Sequence, residues 1–388
     1  MPVKNRIAEM QPEIAAWRRD FHENPELLYE VHRTAGVVAD KLRAFGCDEV
    51  VTGIGRTGVV GVIRGRQTGS GRVVGLRADM DALPITETTG LPHASKTPGV
   101  MHACGHDGHT AMLLGAAQYL AETRNFDGTV VVMFQPAEEG GAGARAMCQD
   151  GMMDRWGVQE VYGMHNWPGI PAGQFAIRPG PFFAATNTFT ITITGRGGHA
   201  AKPHDTVDPT VVASQIVLAL QSIASRNADP LDSIVVSVTS FVTSSQAFNV
   251  IPQSVQLKGT VRTLLKETRA QAEQRIRAIV GNTAAAYGAT ADIDYIEGYP
   301  VMANHPDQTD HARAVAAEIS GQPVLEVPPT MGGEDFAYML EERPGAYILV
   351  GNGDTASVHH PDYDFDDSII PAGASWYVGM AESRMPVA

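Results

Sequence analysis

Two hydrophobic periods share this chain. In its first half, short unbroken apolar runs bounded by glycine, proline or charge predict buried strands: GVVGVIRG (58–65), RVVGLRADMDALP (72–84), GTVVVMFQP (128–136) and VQEVYGMHN (158–166). Between them, HDGHTAMLLGAAQYLAETR (106–124) spaces its apolar residues for a helix, and the N-terminal stretch up to DFHENPEL reads as a polar amphipathic helix. Strand and helix in alternation predict an α/β layer fold with a mixed, mostly parallel sheet.

The pattern changes over 184–297. ATNTFTITITGRG (185–197) alternates cleanly, as a strand with one buried face does, and SIVVSVTSF (233–241), SVQLKGTVRT (254–263) and ATADIDYIEGY (289–299) are three more strands. DPTVVASQIVLALQSIASR (208–226) opens on an aspartate cap and a first-turn proline, and ETRAQAEQRIRAIVGNTAAAYG (267–288) is a second helix. The order β-α-β-β-α-β is the split-βαβ, or ferredoxin-like, arrangement. After residue 300, DHARAVAAEISG, GGEDFAYMLEERP, AYILVG and ASWYVGMAESR are too short to form a layered domain alone. They are expected to complete the first one, giving a discontinuous domain of 1–183 plus 298–388 and an insert of 184–297.

Composition narrows the function. A chain of 388 residues with 44% hydrophobic and 19% charged positions is that of a folded protein with sizeable cores, and its length favours two domains. A formal net charge of −14 and the lack of any lysine or arginine run exclude a nucleic-acid partner, which leaves a small molecule as the ligand. No apolar run resembles a signal peptide or membrane span, so no membrane partner is expected and the chain is expected in the cytoplasm. Three widely spaced cysteines, Cys47, Cys104 and Cys148, imply no disulfide framework.

The chemistry-bearing residues fall at predicted strand ends. Asp79 and Asp81 end one strand, Glu138 and Glu139 follow another, and His165 ends a third; in open α/β sheets ligands bind beyond the carboxyl ends of strands. MHACGHDGHT (101–110) adds Cys104 and His106, a thiol and an imidazole of the kind zinc-class metals prefer, without the paired spacing of a zinc finger. In QPAEEGG, proline ends the strand and adjacent glutamates point in different directions, so one carboxylate can bind metal while the other moves a proton. A lone histidine is as a rule structural, and His22, His32, His93, His204, His305 and His311 are read so. With His165 and the HH pair at 359–360, however, the cluster completes a ligand list of Cys, His, Glu, His and His.

These segments resemble the aminoacylase and hippurate hydrolase metallohydrolases, which include plant auxin-conjugate amidohydrolases and are related to glutamate carboxypeptidase. The resemblance rests on RADMDALPI (77–85), HACGHDGHT (102–110), QPAEEGGAGA (135–144), GMHNWPGIPAG (163–173), GRGGHAAKPHDTVDP (195–209), FNVIPQSVQLKGTVRT (248–263), GGEDFAYM (332–339) and HHPDYDF (359–365). It implies that Cys104, His106, Glu139, His165 and His359 ligate two divalent metal ions per chain, of zinc, manganese, cobalt or nickel, and that Glu138 is the general base. The family carries a small polar residue where this chain has His360, so the last ligand is His359 or its neighbour. Asp79, Asp81 and His102 are expected behind the ligands, orienting them.

The resemblance further implies that the insert is a lid and dimerisation domain, that the chain forms a homodimer or dimer-based tetramer, and that His199, Asn249 and Arg262 bind substrate. Arg262 shares a strand face with Gln256, Lys258 and Thr260, and a guanidinium fork there suits a substrate carboxylate. Gly332 and Gly333 are expected to line the same pocket with backbone amides, while Glu334 and Asp335 are alternatively a helix cap. The expected activity is hydrolysis of the amide bond of N-acyl amino acids, N-acetyl or N-benzoyl in type. The alternatives are a metallo-dipeptidase or carboxypeptidase with the same centre, or a catalytically silent ligand-binding relative, against which an intact Glu138 argues.

Overall fold

The structure, a computed structural model, describes residues 3–387, so that positions 1, 2 and 388 of the expected discontinuous domain lie outside the described residues. In chain order its main elements begin with α1 (Asn5–Glu23), α2 (His32–Phe45), β1 (Glu49–Ile54), β2 (Gly58–Arg64), β3 (Val73–Asp79), α3 (His106–Thr123), β4 (Thr129–Gln135) and β5 (Glu160–Trp167). They continue with β6 (Ala185–Thr194), α4 (Pro209–Leu220), β7 (Ile234–Thr243), β8 (Ser254–Thr263), α5 (Lys266–Ala286) and β9 (Thr290–Glu297). The last are α6 (Pro306–Ser320), β10 (Gly345–Gly351) and α7 (Ile370–Arg384).

The chain clusters into two compact units, one of residues up to Gly180 with Ala303–Pro328 and Asp335 onward, the other of Pro181–Met302 with Pro329–Glu334. The first holds a seven-stranded sheet in the order β1-β2-β4-β3-β5-β10 and a short strand, Phe175–Ala176. Its four central strands, β4, β3, β5 and β10, run parallel, with antiparallel strands on both flanks. Residues of β3, β4, β5 and β10 are buried almost throughout, which is why they read as continuous apolar runs. Ile14 of α1, Leu113 and Leu114 of α3 and Trp376 and Tyr377 of α7 join Leu76, Val132, Tyr162 and Ile348 of the sheet in one core.

The second unit is a four-stranded antiparallel sheet in the order β7-β8-β6-β9. Phe189, Ile191 and Ile193 of β6 and Val255, Leu257 and Val261 of β8 pack against Val212, Ile216 and Leu220 of α4 and Ala272, Ile276 and Val280 of α5. Strand order and connection make this the ferredoxin-like fold. Asp208 caps α4 as its sequence predicts, its side chain accepting from the Thr210 N–H at 2.8 Å ahead of Pro209 in the first turn.

Some boundaries differ from the pattern. The strand expected over 72–84 stops at Asp79, because Asp79 and Asp81 turn their carboxylates to buried polar partners rather than extend the ladder. The helix expected to 226 ends at Leu220, and Ile223–Asn227 forms a separate wide turn. Helix α2 and strand β1 are additions; α2 buries Ala35, Val38, Ala39 and Leu42 at helical spacing and stops at Gly46, whose φ of 82° suits a glycine end. Among the described residues no helix is long and apolar enough to cross a membrane.

Buried charge fastens α1 to the sheet unit. His22 Nδ1 lies 2.8 Å from Asp107 Oδ2 and its Nε2 lies 3.5 Å from Glu87 Oε2, while Arg18 Nε meets Asp367 Oδ1 at 2.8 Å. Burial alone would lower the His22 pKa, but Asp107, by charge and hydrogen bond, and Glu87 outweigh it and raise the value to about 9. A folded pKa above the unfolded value makes the contribution complete below about pH 6.5 and lost as the pH rises through about 9, on the order of 3 kcal/mol in all. The melting temperature is expected to fall between pH 6.5 and 9.5 in wild type and much less in His22→Asn. Parallel Tm curves for the two proteins would refute this role.

Candidate functional site

Strands β3, β4 and β5 run parallel and end at Asp79, Gln135 and Trp167, so Asp79, the Glu138–Glu139 segment and His165 arrive at one sheet edge. Cys104 and His106 join them at the start of α3. Gly105 between them has φ 91°, and a Cβ there would come 2.2 Å from Asn166 Oδ1 and 2.6 Å from the Tyr363 hydroxyl. Both the left-handed backbone and the close approach require glycine at this position.

Four overlapping groups of donor atoms within the sheet unit result, each within 4.8 Å: Cys104, His106 and His165; Cys104, Glu139 and His359; His106, Glu138 and Glu139; and Asp79, His106 and His109. Cys104 Sγ is 3.3 Å from His165 Nε2, and Glu139 Oε1 is 3.3 Å from His359 Nε2 and 4.0 Å from His106 Nε2. Of the C-terminal pair, His359 sits in the cluster. His360 is turned away, exposed, with Nδ1 accepting from the Asp362 N–H at 3.1 Å.

The chemistry of this set fits divalent metal. Neither ring nitrogen of His106 nor Oε1 of Glu139 has a hydrogen-bond partner among the described residues, although all three atoms are buried. Burial and the carboxylates of Glu139, Glu138 and Asp79 push the Cys104 thiol well above its ordinary pKa, and Asp79, Asp81 and Glu139 overcome burial to raise His106 to about 10. Nearby dications reverse both tendencies, since a ligating thiol is deprotonated and a ligating imidazole neutral. His165 is already in the right tautomer: its Nδ1–H donates to the Asn166 carbonyl at 2.5 Å and leaves Nε2 facing Cys104.

Behind these atoms stand the buried aspartates. Asp81 accepts the backbone N–H of Glu138 at 2.9 Å and of Glu139 at 3.1 Å, and lies 3.5 Å from His106 Nδ1. Asp79 accepts from His109 Nδ1 at 2.6 Å and lies 3.7 Å from His106 Nε2. Burial opposes its ionisation, yet Arg77, His106 and His109 hold its carboxyl well below the usual range. His102 belongs to none of the donor groups; its ring lies 6.3 Å from His22, and burial lowers its pKa to about 3.

In the second unit, His199 pairs with Val250, and the Asn249 carbonyl accepts from the Ala200 N–H at 3.0 Å, so His199 and Asn249 are neighbours. His199 is exposed, and its Nδ1 accepts from the Ala201 N–H at 3.0 Å, which puts the neutral ring's proton on Nε2. Arg262 is half-buried and bonds Thr260 Oγ1 and, at 3.1 Å, the Val261 carbonyl. It pairs with Thr186, whereas Ser254, at the His199 end of β8, pairs with Thr194. At about 3.3 Å per residue the two ends are roughly 26 Å apart. The Gly332 amide meets Thr330 Oγ1 at 3.3 Å, and a Cβ on Gly333 would come 2.4 Å from Thr186 Cγ2.

Three participants, His109, Arg77 and Gln135, escaped the sequence reading, and a fourth, Asp335, entered it only as an alternative helix cap. His109 ties Asp79 to the Asn166 N–H, which its Nε2 accepts at 3.0 Å, so both its nitrogens are engaged. Arg77, Gln135 and Asp335 form a buried network at the same sheet edge. Asp335 is therefore no helix cap: the helix Ala337–Glu342 starts without a side-chain cap, and the carboxylate bonds Arg77, Gln135 and the Ala144 N–H instead. A charged residue inside the apolar run VVGLRAD is the one signal that pointed there.

Comparison with known proteins agrees with this geometry. Hippurate hydrolase of Campylobacter jejuni is 42% identical over 377 residues, covering 97% of each chain. Thermostable carboxypeptidase 2 of Saccharolobus solfataricus is 40% identical over 96% of this chain and 95% of its own. A Bacillus subtilis dinuclear metal binding peptidase from the M20 family superposes with a TM-score of 0.85 at 34% identity, over 98% of this chain and 100% of the other. With a family model matching residues 75–383 as well, the chain belongs to peptidase family M20/M25/M40.

Proposed function

We propose that this chain is a metal-dependent amidohydrolase that cleaves N-acyl amino acids, of the N-acetyl or N-benzoyl type, to a carboxylic acid and a free amino acid. The observation that carries the reading is Glu138, buried and held through its backbone by Asp81, beside a donor set with unsatisfied buried atoms. Two divalent ions of the zinc, manganese, cobalt or nickel class, held by Cys104, His106, Glu139, His165 and His359, would supply an acidified water and an electrophile for the amide carbonyl. Glu138 takes the proton of the attacking water and returns it to the leaving amine. His199 donates its Nε2–H to the oxyanion, Arg262 pairs with the substrate carboxylate, and Asn249 and the Gly332–Gly333 turn help seat the substrate. Asp79, Asp81 and His102 keep the ligands oriented from behind.

In this reading 1–183 with 298–388 is the catalytic domain and 184–297 a lid that also joins two copies. The ends of β8 support a partner's participation: Arg262 lies at one end, the other end, Ser254, follows the Val250–Ile251 strand that pairs with His199, and the roughly 26 Å between those ends exceeds one small substrate. Strand β7 supports the lid as the joint, being an edge strand with Phe241 and Val242 exposed, near in sequence to α4 with its exposed Val211 and Leu218. Likeness to a carboxypeptidase favours a second reading, cleavage of C-terminal residues from peptides with the same centre. A panel of hippurate, N-acetyl amino acids and dipeptides separates the two, and preference for the peptides would displace the first.

Chelation is expected to abolish activity reversibly, and elemental analysis of active protein to give two transition-metal ions per chain; Cys104→Ser should weaken binding, because a hydroxyl is not anionic at neutral pH. Active protein without transition metal would end the hypothesis.

Glu138→Gln is expected to keep its metal and lose about two orders of magnitude or more in kcat. Glu139→Gln should instead lower metal occupancy, and the opposite pattern would exchange the two assignments.

For the lid, His199→Ala should lower kcat by about a hundredfold with a smaller change in KM, while Arg262→Ala should chiefly raise KM. In a mixed dimer of His199→Ala and Glu138→Gln chains, one site has both residues sound only if the lid serves the partner. Lack of recovered activity in isolated mixed dimers would rule out that route.

A further inference from the structure

The Arg77 network offers a role that the hydrolytic scheme does not use. Arg77, Gln135 and Asp335 are all fully buried. Arg77 Nη1 meets Asp79 Oδ2 at 2.8 Å, its Nη2 meets Asp335 Oδ1 at 3.1 Å, and its Nε donates to Gln135 Oε1 at 2.8 Å. The Gln135 amide donates to both Asp335 oxygens, at 2.7 and 2.9 Å, and the Ala144 N–H adds a bond at 2.9 Å to Oδ2. A carboxylate with this many donors has little acceptor capacity left, so it serves neither as a base nor as a ligand. Its effect is on its own backbone: the Asp335 N–H points at Glu138 Oε1, 3.4 Å away.

We propose that Asp335 is a positioning residue for Glu138, its carboxylate locked by Arg77, Gln135 and the Ala144 amide so that its backbone N–H sets which way the Glu138 carboxylate faces. The inference rests on the reading of Glu138 as general base. A buried ion pair is a weak source of net stability and a good device for fixing register, which suits this placement. One guanidinium then serves two ends of the site, because the Asp79 it also holds lies against His106 and His109. Gln135 and Glu138 belong to the same strand exit, so the base is held both along the chain and by the Asp335 N–H.

The test is a double-mutant cycle on metal-loaded enzyme with an N-acyl amino acid substrate. Asp335→Asn keeps the shape and the backbone N–H but sets an amide NH2 against donors that need an oxygen, which shifts the turn. The expected result is a kcat lowered tenfold or more, KM changed less than twofold, and metal content equal to wild type. In a Glu138→Gln background the same substitution should cost less than twofold, since a base that is absent cannot be misplaced. Gln135→Met, which leaves both charges intact, serves if Asp335→Asn does not fold; it should lose three- to tenfold in kcat, again masked by Glu138→Gln. An unchanged kcat, a loss that multiplies with Glu138→Gln, or a loss that follows metal content would each overturn the positioning role while leaving Glu138 as the base. A Glu138→Gln enzyme with wild-type kcat would instead overturn the general-base reading, and this proposal with it.

Discussion

Burying several carboxylates at one sheet edge is the constraint around which the site is built. Asp79, Asp81, Glu138 and Asp335 are all buried within the sheet unit, and an ionised carboxylate in such a place needs a partner for every lone pair that has lost water. The fold meets this in three ways. A guanidinium is buried between Asp79 and Asp335, two successive backbone N–H groups are turned onto Asp81, and His109 is bolted between Asp79 and Asn166. Where the supply of protein donors and acceptors runs out, at His106 and Glu139, the remaining need is for a cation.

That arrangement depends on rigid support. Parallel strands covered on both faces place their last residues with little freedom, and β3, β4 and β5 each carry a polar group out of an apolar run at the same edge. The second unit is built differently. Its sheet buries one face only, and its candidate contributors His199 and Asn249 sit on a short exposed ribbon beyond the strand ends. A buried edge of the first kind is preorganised, whereas an exposed ribbon of the second kind is less constrained.

Much of this was legible from the chain because each unit keeps its own hydrophobic period. Continuous apolar runs marked the parallel strands, strict alternation marked the small sheet, and Asp208-Pro209 marked the start of α4. Helix α2 was harder to see, since its HRTAGVVADKLRAF mixes a β-branched pair with glycine. At the site, the donor set stood out because cysteine, histidine and paired glutamates are rare so close to strand ends. The supporting network did not. Arg77 inside VVGLRAD announces a buried partner, but nothing local names Asp335, 258 positions away, and the interior of the turn that carries it read equally well as a cap.

The histidines show how the missing information enters. Among the three histidines of 102–109, hydrogen bonding sets His109 apart, and the neighbouring donor atoms set His106 apart from His102. His109 has both nitrogens engaged, which removes it as a ligand and makes it a brace. His165 has Nδ1 engaged and offers Nε2 as an acceptor, the state a metal needs, whereas His199 has Nδ1 accepting and so offers Nε2–H as a donor, the state an oxyanion needs. His106 and His102 are both buried with neither nitrogen satisfied, and of the two only His106 stands among the other donor atoms, where something bound would complete it. Side-chain chemistry selects the candidates, and the local supply of donors and acceptors narrows what each ring can do.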